Sequence, residues 1–174
     1  MRSICLSVAR MLVAGALAAL TVAVRADPIQ WAGGYESVVT RDGGEHCHGY
    51  SIALWRHRGG LFGLLDVHGG LCGDPPCGVI RDVRHDTTSG ALEFQATVGE
   101  QRLRFRGSMS RKALVGRLGA DRINLAHTPT NNSAHLSQDR TLDGWCQFWQ
   151  TVPRCSGVRE FCKSRSMEKL PVGR

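Results

Sequence analysis

The sequence predicts an all-β fold. It reads as an antiparallel meander of about eight strands closing into a barrel, with a short disulfide-linked helical appendage after it. Three observations carry this. From Trp31 to about His127 the dominant hydrophobic period is two. The links between the alternating segments are too short for crossover helices, so neighbouring strands must run antiparallel. Three cysteines, Cys146, Cys155 and Cys162, then gather in a separate C-terminal stretch. Eight strands could also form two packed sheets, but closure into a barrel removes the exposed edges as well.

Residues 1–26 read as a cleaved secretory signal. A short basic start precedes an almost wholly apolar or small run from Leu12 to Val24, and Val24 and Ala26 are small residues at −3 and −1 of a cut before Asp27. From Met11 the run reaches Arg25 after only 14 residues. A membrane span needs ~20. The expected product is soluble, periplasmic or secreted, with no transmembrane segment. Removing residues 1–26 leaves 19 basic against 15 acidic side chains, on a length that suits one domain and excludes a large multidomain enzyme.

The barrel domain is expected over 27–127. Residues 31–40 form its first strand, with Gly33 and Gly34 permitting a bend. Residues 50–57 alternate weakly and turn at Arg58-Gly59-Gly60 into 61–67, and 79–83 form a further strand ending in the loop-like His85-Asp86-Thr87-Thr88-Ser89-Gly90. The clearest pair is 91–98 with 101–107. With Gly99-Glu100 as a two-residue turn and Gly99 at positive φ, Ala96 faces Leu103 and Phe94 faces Phe105 on the buried side. Glu93 then faces Arg106 on the wet side, and a slip of one residue would put Phe105 in water. After a tight Ser108-Met109-Ser110-Arg111 link, 113–118 and 122–126 complete the meander around Gly119-Ala120-Asp121.

Residues 128–140 are rich in Thr, Pro, Asn, Ser and Gln and read as a polar linker, in which Asn131-Asn132-Ser133 fits the glycosylation pattern. The appendage is expected over 141–163. Asp143 is placed to cap a short helix holding Cys146, Phe148 and Trp149 and ended by Pro153. Trp145, Phe148 and Trp149 should dock it onto the barrel. Residues 164–174 are expected to be a flexible basic tail.

After Cys5 is removed, six cysteines remain: Cys47, Cys72, Cys77, Cys146, Cys155 and Cys162. The short, stiff Cys72-Gly-Asp-Pro-Pro-Cys77 loop favours a Cys72–Cys77 bond, leaving Cys47 to tie one of the late cysteines to the barrel. Oxidised cysteines agree with export.

The early Trp31-Ala32-Gly33-Gly34-Tyr35 stretch followed by hairpins resembles the small lipocalin-like (calycin-type) barrels of bacterial exported proteins. In those a Gly-x-aromatic sequence opens the first strand, here Gly33-Gly34-Tyr35, and the resemblance runs through Thr88-Ser89-Gly90 to the Leu103-Arg104-Phe105-Arg106-Gly107 strand, covering roughly 31–126. The sequence departs from the lipocalin pattern in having Tyr where Trp is usual, and in its cysteine-rich appendage. The resemblance implies a barrel and a tendency to bind ligands or partners. It brings no catalytic residue.

Among candidate sites, His46-Cys47-His48 offers two imidazoles and a thiolate for zinc. In a strand, however, the two histidines point away from Cys47, so surface histidines around a disulfide are expected, with His46 and His48 as weak metal candidates only. Asp66 and His68 share a strand face and could act as a general base. No Gly-x-Ser-x-Gly, His-Glu-x-x-His or phosphate loop accompanies them, so an enzyme is the lesser reading and no cofactor is expected. The sequence points instead to a basic stripe. Arg102, Arg104 and Arg106 share one strand face, with Arg81, Arg84, Arg111, Lys112 and Arg117 on neighbouring segments. A planar guanidinium suits carboxylates and phosphates; the modest net charge and export disfavour nucleic acid. The expected function is binding without catalysis: recognition of an envelope protein or anionic surface polymer by Arg102, Arg104 and Arg106 together with the rigid loop at Asp74, Pro75 and Pro76. The alternative is a carrier holding a small apolar ligand inside the barrel.

Overall fold

A computed structural model describes residues 28–129 and 141–167 of the chain. The expected signal, Asn131-Asn132-Ser133 and the last residues of the expected tail lie outside the described residues. Eight strands follow in order: β1 (Gln30–Arg41), β2 (His46–His57), β3 (Gly60–Leu71), β4 (Cys77–His85), β5 (Ala91–Val98), β6 (Gln101–Met109), β7 (Ala113–Leu118) and β8 (Asp121–Thr128). Each pairs antiparallel with the next, and β1 pairs with β8, so the meander closes into a barrel. Two short helices, α1 (Leu142–Trp149) and α2 (Val158–Met167), flank a two-residue strand β9 (Cys155–Ser156) that runs parallel to the start of β4.

The β5–β6 register is the one that alternation requires: Ala96 opposite Leu103, Phe94 opposite Phe105 and Glu93 opposite Arg106. Gly99 takes φ 58° at the turn, a conformation that carries no steric penalty for glycine. Phe94 and Phe105 stack 5.0 Å apart in the interior. Around them pack Ile52, Leu54, Leu65, Ile80, Leu92, Leu114, Leu118 and Leu125, all buried. Side chains therefore fill the middle of the barrel, as its strand number leads one to expect.

A second apolar core lies outside the barrel wall. Trp55, Phe62, Leu64 and Val79 face outward and meet Leu142, Trp145, Trp149, Val158 and Phe161 of the appendage. Trp145 is fully buried, edge-on to both Trp55 and Phe62. The appendage is thus docked by its aromatics.

Several boundaries and pairings differ from expectation. Strands β2 and β3 extend to His46 and Leu71 because their ends project past the core, where His, Gly and Asp replace the apolar alternation. The cap of α1 is Thr141, whose Oγ1 accepts from the Gly144 N–H; Asp143 sits inside the first turn. Thr128 belongs to β8 rather than to a linker, and α2 continues to Met167, into the stretch expected as tail.

The disulfides are also different. Neither Cys72–Cys77 nor a bond from Cys47 to a late cysteine forms. The bonds are Cys47–Cys72, Cys77–Cys155 and Cys146–Cys162. Register explains this. The Pro76 carbonyl accepts from the Val67 N–H, so Cys77 starts its strand beside Asp66. Cys72 lies five residues beyond Val67, about 16 Å along a strand at ~3.3 Å per residue. There it reaches the outward face of β2 beside Cys47, with a Cα separation of 4.9 Å. A staple between barrel and appendage does exist, but Cys77 makes it.

Candidate functional site

The basic stripe of the sequence becomes a face spanning five adjacent strands. Directly opposed residues form one continuous row across it: Arg84 on β4, Glu93 on β5, Arg106 on β6, Arg117 on β7 and Arg122 on β8. Arg81, Arg102 and Arg104 lie alongside, and every one of these arginines is exposed. Neighbouring strands lie ~4.8 Å apart, so the row offers one side chain per strand at that interval.

Two local features build the row. Alternation alone would put Arg81 and Arg84, three residues apart, on opposite faces. A register shift between them, with Asp82 at φ 52°, inserts an extra residue and turns both outward. On the other side, the two-residue turn after Leu118 places Leu118 opposite Asp121 and therefore Arg117 opposite Arg122. The sequence reading missed Arg122. Counting outward from Gly119-Ala120, the same geometry as at Gly99-Glu100, puts it opposite Arg117.

Charge is unevenly balanced along the row. Glu93 accepts a hydrogen bond from Arg104 at 2.9 Å and lies 3.5 Å from Arg106. The Arg104 hydrogen bond, helped by Arg106 and Arg84, holds the Glu93 carboxyl below the usual carboxylate range. On the β7–β8 side the row has no acid. Arg106, Arg117 and Arg122 stand directly opposite one another, and Arg117 donates to the Ala120 carbonyl at 3.1 Å. Where the face meets the appendage, Arg81, Gln95, Thr97 and Arg102 join Ser156, Gly157 and Glu160 around a cleft of about 380 Å³.

The loop at Asp74, Pro75 and Pro76 takes a different place. Arg154 of the appendage donates to the Pro75 carbonyl and to Asp66, and approaches Asp74 at 3.8 Å. The loop is therefore clamped to the appendage, with β5 between its strand β4 and the β6 arginines. Arg111 and Lys112 lie in the β6–β7 link, off the row.

The Asp66/His68 pair is reached by Ser51, whose Oγ lies 3.0 Å from His68 Nε2 and 3.3 Å from Asp66 Oδ2. The hydroxyl sits between acid and imidazole, so the carboxylate does not orient the ring as a hydrolytic triad requires. Burial raises the Asp66 carboxyl above its usual range, and Arg154 pulls it partly back. This cluster fastens the appendage to the barrel. At His46-Cys47-His48, the disulfide occupies Cys47, and His46 Nδ1 lies 3.2 Å from Asp42. Among the described residues no group of three metal-ligating side chains forms, and no helix is long and apolar enough to cross a membrane.

The fold and site together define an eight-stranded antiparallel barrel with a disulfide-fastened helical appendage on one flank and an arginine face on the other. No family model, curated protein or solved structure matches the chain.

Proposed function

We propose that this chain is a non-catalytic binding protein of the cell envelope, periplasmic or secreted, that holds an acidic protein or an anionic surface polymer on its arginine face. The observation that carries this is the direct opposition of Arg106, Arg117 and Arg122. Like charges facing each other across a sheet destabilise it. A bound polyanion offsets that cost, and the guanidinium fork suits its carboxylates or phosphates. The strained Asp82 bulge, which brings Arg81 and Arg84 onto the same side, supports the same reading. The Asp74-Pro75-Pro76 loop, clamped by Arg154, stands apart from this face and is not part of the proposed surface.

The filled interior weighs against the carrier alternative, and the Asp66–Arg154 pairing weighs against an Asp/His enzyme. The test is binding of the exported protein to immobilised polyglutamate over a salt series. Changing Arg106, Arg117 and Arg122 together to Gln should lower affinity about tenfold or more at low salt and flatten the salt dependence. Equal affinity for both proteins would overturn the reading.

A further inference from the structure

The barrel wall is incompletely zipped at one seam. β1 pairs with β2 along nearly its whole length, yet meets β8 only at Gly34, Tyr35 and Glu36, opposite Thr128, His127 and Ala126. Beyond that point, among the described residues, residues 37–41 of β1 pair only with β2, and residues 121–125 of β8 pair only with β7. Each segment is an edge, with every second residue's N–H and C=O directed into the gap. A cleft of about 360 Å³ occupies this opening, lined by Ser37, Val39, Tyr50, Arg122, Ile123 and Leu125 among others. Val39 is 59% exposed on the inward-facing register of β1. Tyr50 bridges the gap through a hydrogen bond from its hydroxyl to the Asp121 carboxylate.

We propose that this seam captures an extended peptide from a partner protein, added as a strand to the free edge of β8, with apolar residues alternating with acidic ones. The edge carries the proposal: unpaired backbone groups are satisfied by another backbone, which a lipid or sugar cannot supply in register. The alternation follows from the two sides of the slot. Inward side chains of an added strand meet the apolar Val39, Ile123 and Leu125 and the Tyr50 ring, with Ser37, His48 and Asp121 as the polar members of the same lining. Outward side chains stand next to Arg122, at the acid-free end of the arginine row. An acidic residue there extends the row by one strand and pairs with its last member. The acidic preference rests on the arginine face being used for anions; the edge pairing does not.

The experiment adds a peptide of about eight residues, alternating valine and glutamate, to the isotopically labelled protein, and follows amide exchange by NMR. Slowed exchange confined to β8 residues 121–125 and neighbouring β1 amides is expected. N-methylating the peptide at alternate nitrogens on its pairing edge should weaken binding about tenfold or more, because it removes donors without changing charge. A valine–lysine peptide should not bind. Val39→Lys should block the Val/Glu peptide while leaving the melting temperature and polyglutamate binding unchanged. Equal binding of the N-methylated peptide would overturn strand addition and leave only charge attraction to the face. Concentration-dependent protection of the same amides without peptide would assign the seam to a second copy of this chain and overturn the proposal too. Polyglutamate binding without peptide binding would remove this inference and leave the arginine-face reading intact.

Discussion

In the middle of β2 and β3 the outward positions Ala53, Trp55, Phe62 and Leu64 are apolar, and the appendage covers them. On β5 to β8 the outward positions include Glu93, Gln95, Arg102, Arg104, Arg106, Val115, Arg117 and Arg122, and solvent reaches them. The inward positions of both flanks are alike: aliphatic and aromatic side chains filling one interior. The barrel therefore uses a single inner pattern and two outer ones. One outer pattern recruits a second core from the same chain. The other sets Arg106, Arg117 and Arg122 opposite one another, with Glu93 as the one acid of the row, an arrangement that costs stability and that the proposed anion binding would use.

The largest effects should come from the two cores. Phe105→Ala removes half of the interior stack and should cost ~3–5 kcal/mol in denaturant melts. Trp145→Ala should cost a similar ~3–5 kcal/mol, because its ring is fully buried between barrel and appendage. The two should differ in what opens. With Trp145→Ala, amide exchange should quicken in α1, α2 and β9 while β5 and β6 stay protected. If β5 and β6 lose protection equally, the two cores melt as one unit and the contrast between the flanks is only a surface one.

Next in size is the staple. Cys77–Cys155 closes a sequence separation of 78 residues and joins barrel and appendage covalently. Replacing both cysteines by serine should cost ~2–5 kcal/mol, partly by freeing the unfolded chain. Cys47–Cys72 closes only 25 residues within one ladder, and its removal should cost less. Comparison of the two double variants by urea midpoint ranks them; the reverse order would mean the appendage adheres without its staple.

The flanks should also answer acid with opposite signs. Asp66, on the covered side, has its folded pKa raised by burial, so the unfolded chain loses that proton first as pH rises. Stability from this group is therefore greatest at low pH and falls as pH climbs from the ordinary Asp value through the raised one. Glu93, on the open side, has its pKa lowered by Arg104, so its contribution is present above the ordinary Glu value and is lost as pH falls through the lowered one. Urea midpoints between about pH 3 and pH 7 for wild type, Asp66→Asn and Glu93→Gln would show it. Asp66→Asn should gain on the wild type as pH rises, and Glu93→Gln should lose. Parallel curves for all three proteins would mean that neither environment distinguishes the flanks.

The contrast explains what could be read in the sequence. Residues 91–98 and 101–107 alternate cleanly because one face is buried and the other wet, and their register followed to the residue. In β3, Leu61-Phe62-Gly63-Leu64-Leu65 is an unbroken apolar run, since both of its faces are buried. Such a run marks a strand but hides which side carries the second core. The disulfides were misread for a related reason: the Cys72–Cys77 loop looks closed by its length, whereas β3 runs on past Asp66 and carries Cys72 away to Cys47. The arginine stripe was legible on β6, where alternation is strict. Its continuation to Arg122 follows from counting outward from the Gly119-Ala120 turn, whereas its continuation to Arg81 and Arg84 depends on the positive-φ bulge at Asp82, a non-glycine residue, which composition does not display.

The smallest effect is the most telling about the open flank. Arg117 stands between Arg106 and Arg122 on the middle of three strands, opposite both. Arg117→Glu would convert two facing like-charge pairs into two opposite-charge pairs. Cross-strand pairs of this kind are worth ~0.2–1 kcal/mol each at an exposed site. The variant should therefore melt slightly higher than the wild type, most visibly at low salt, where screening is weakest. Its affinity for polyglutamate should fall at the same time, because the acid-free end of the row becomes internally neutralised. Gain in one and loss in the other is the signature of charge kept for a partner rather than for the fold. A lower melting temperature together with undiminished polyglutamate binding would mean that Arg117 serves the barrel through its bond to the Ala120 carbonyl, and the open flank would then be no more than a solvated face.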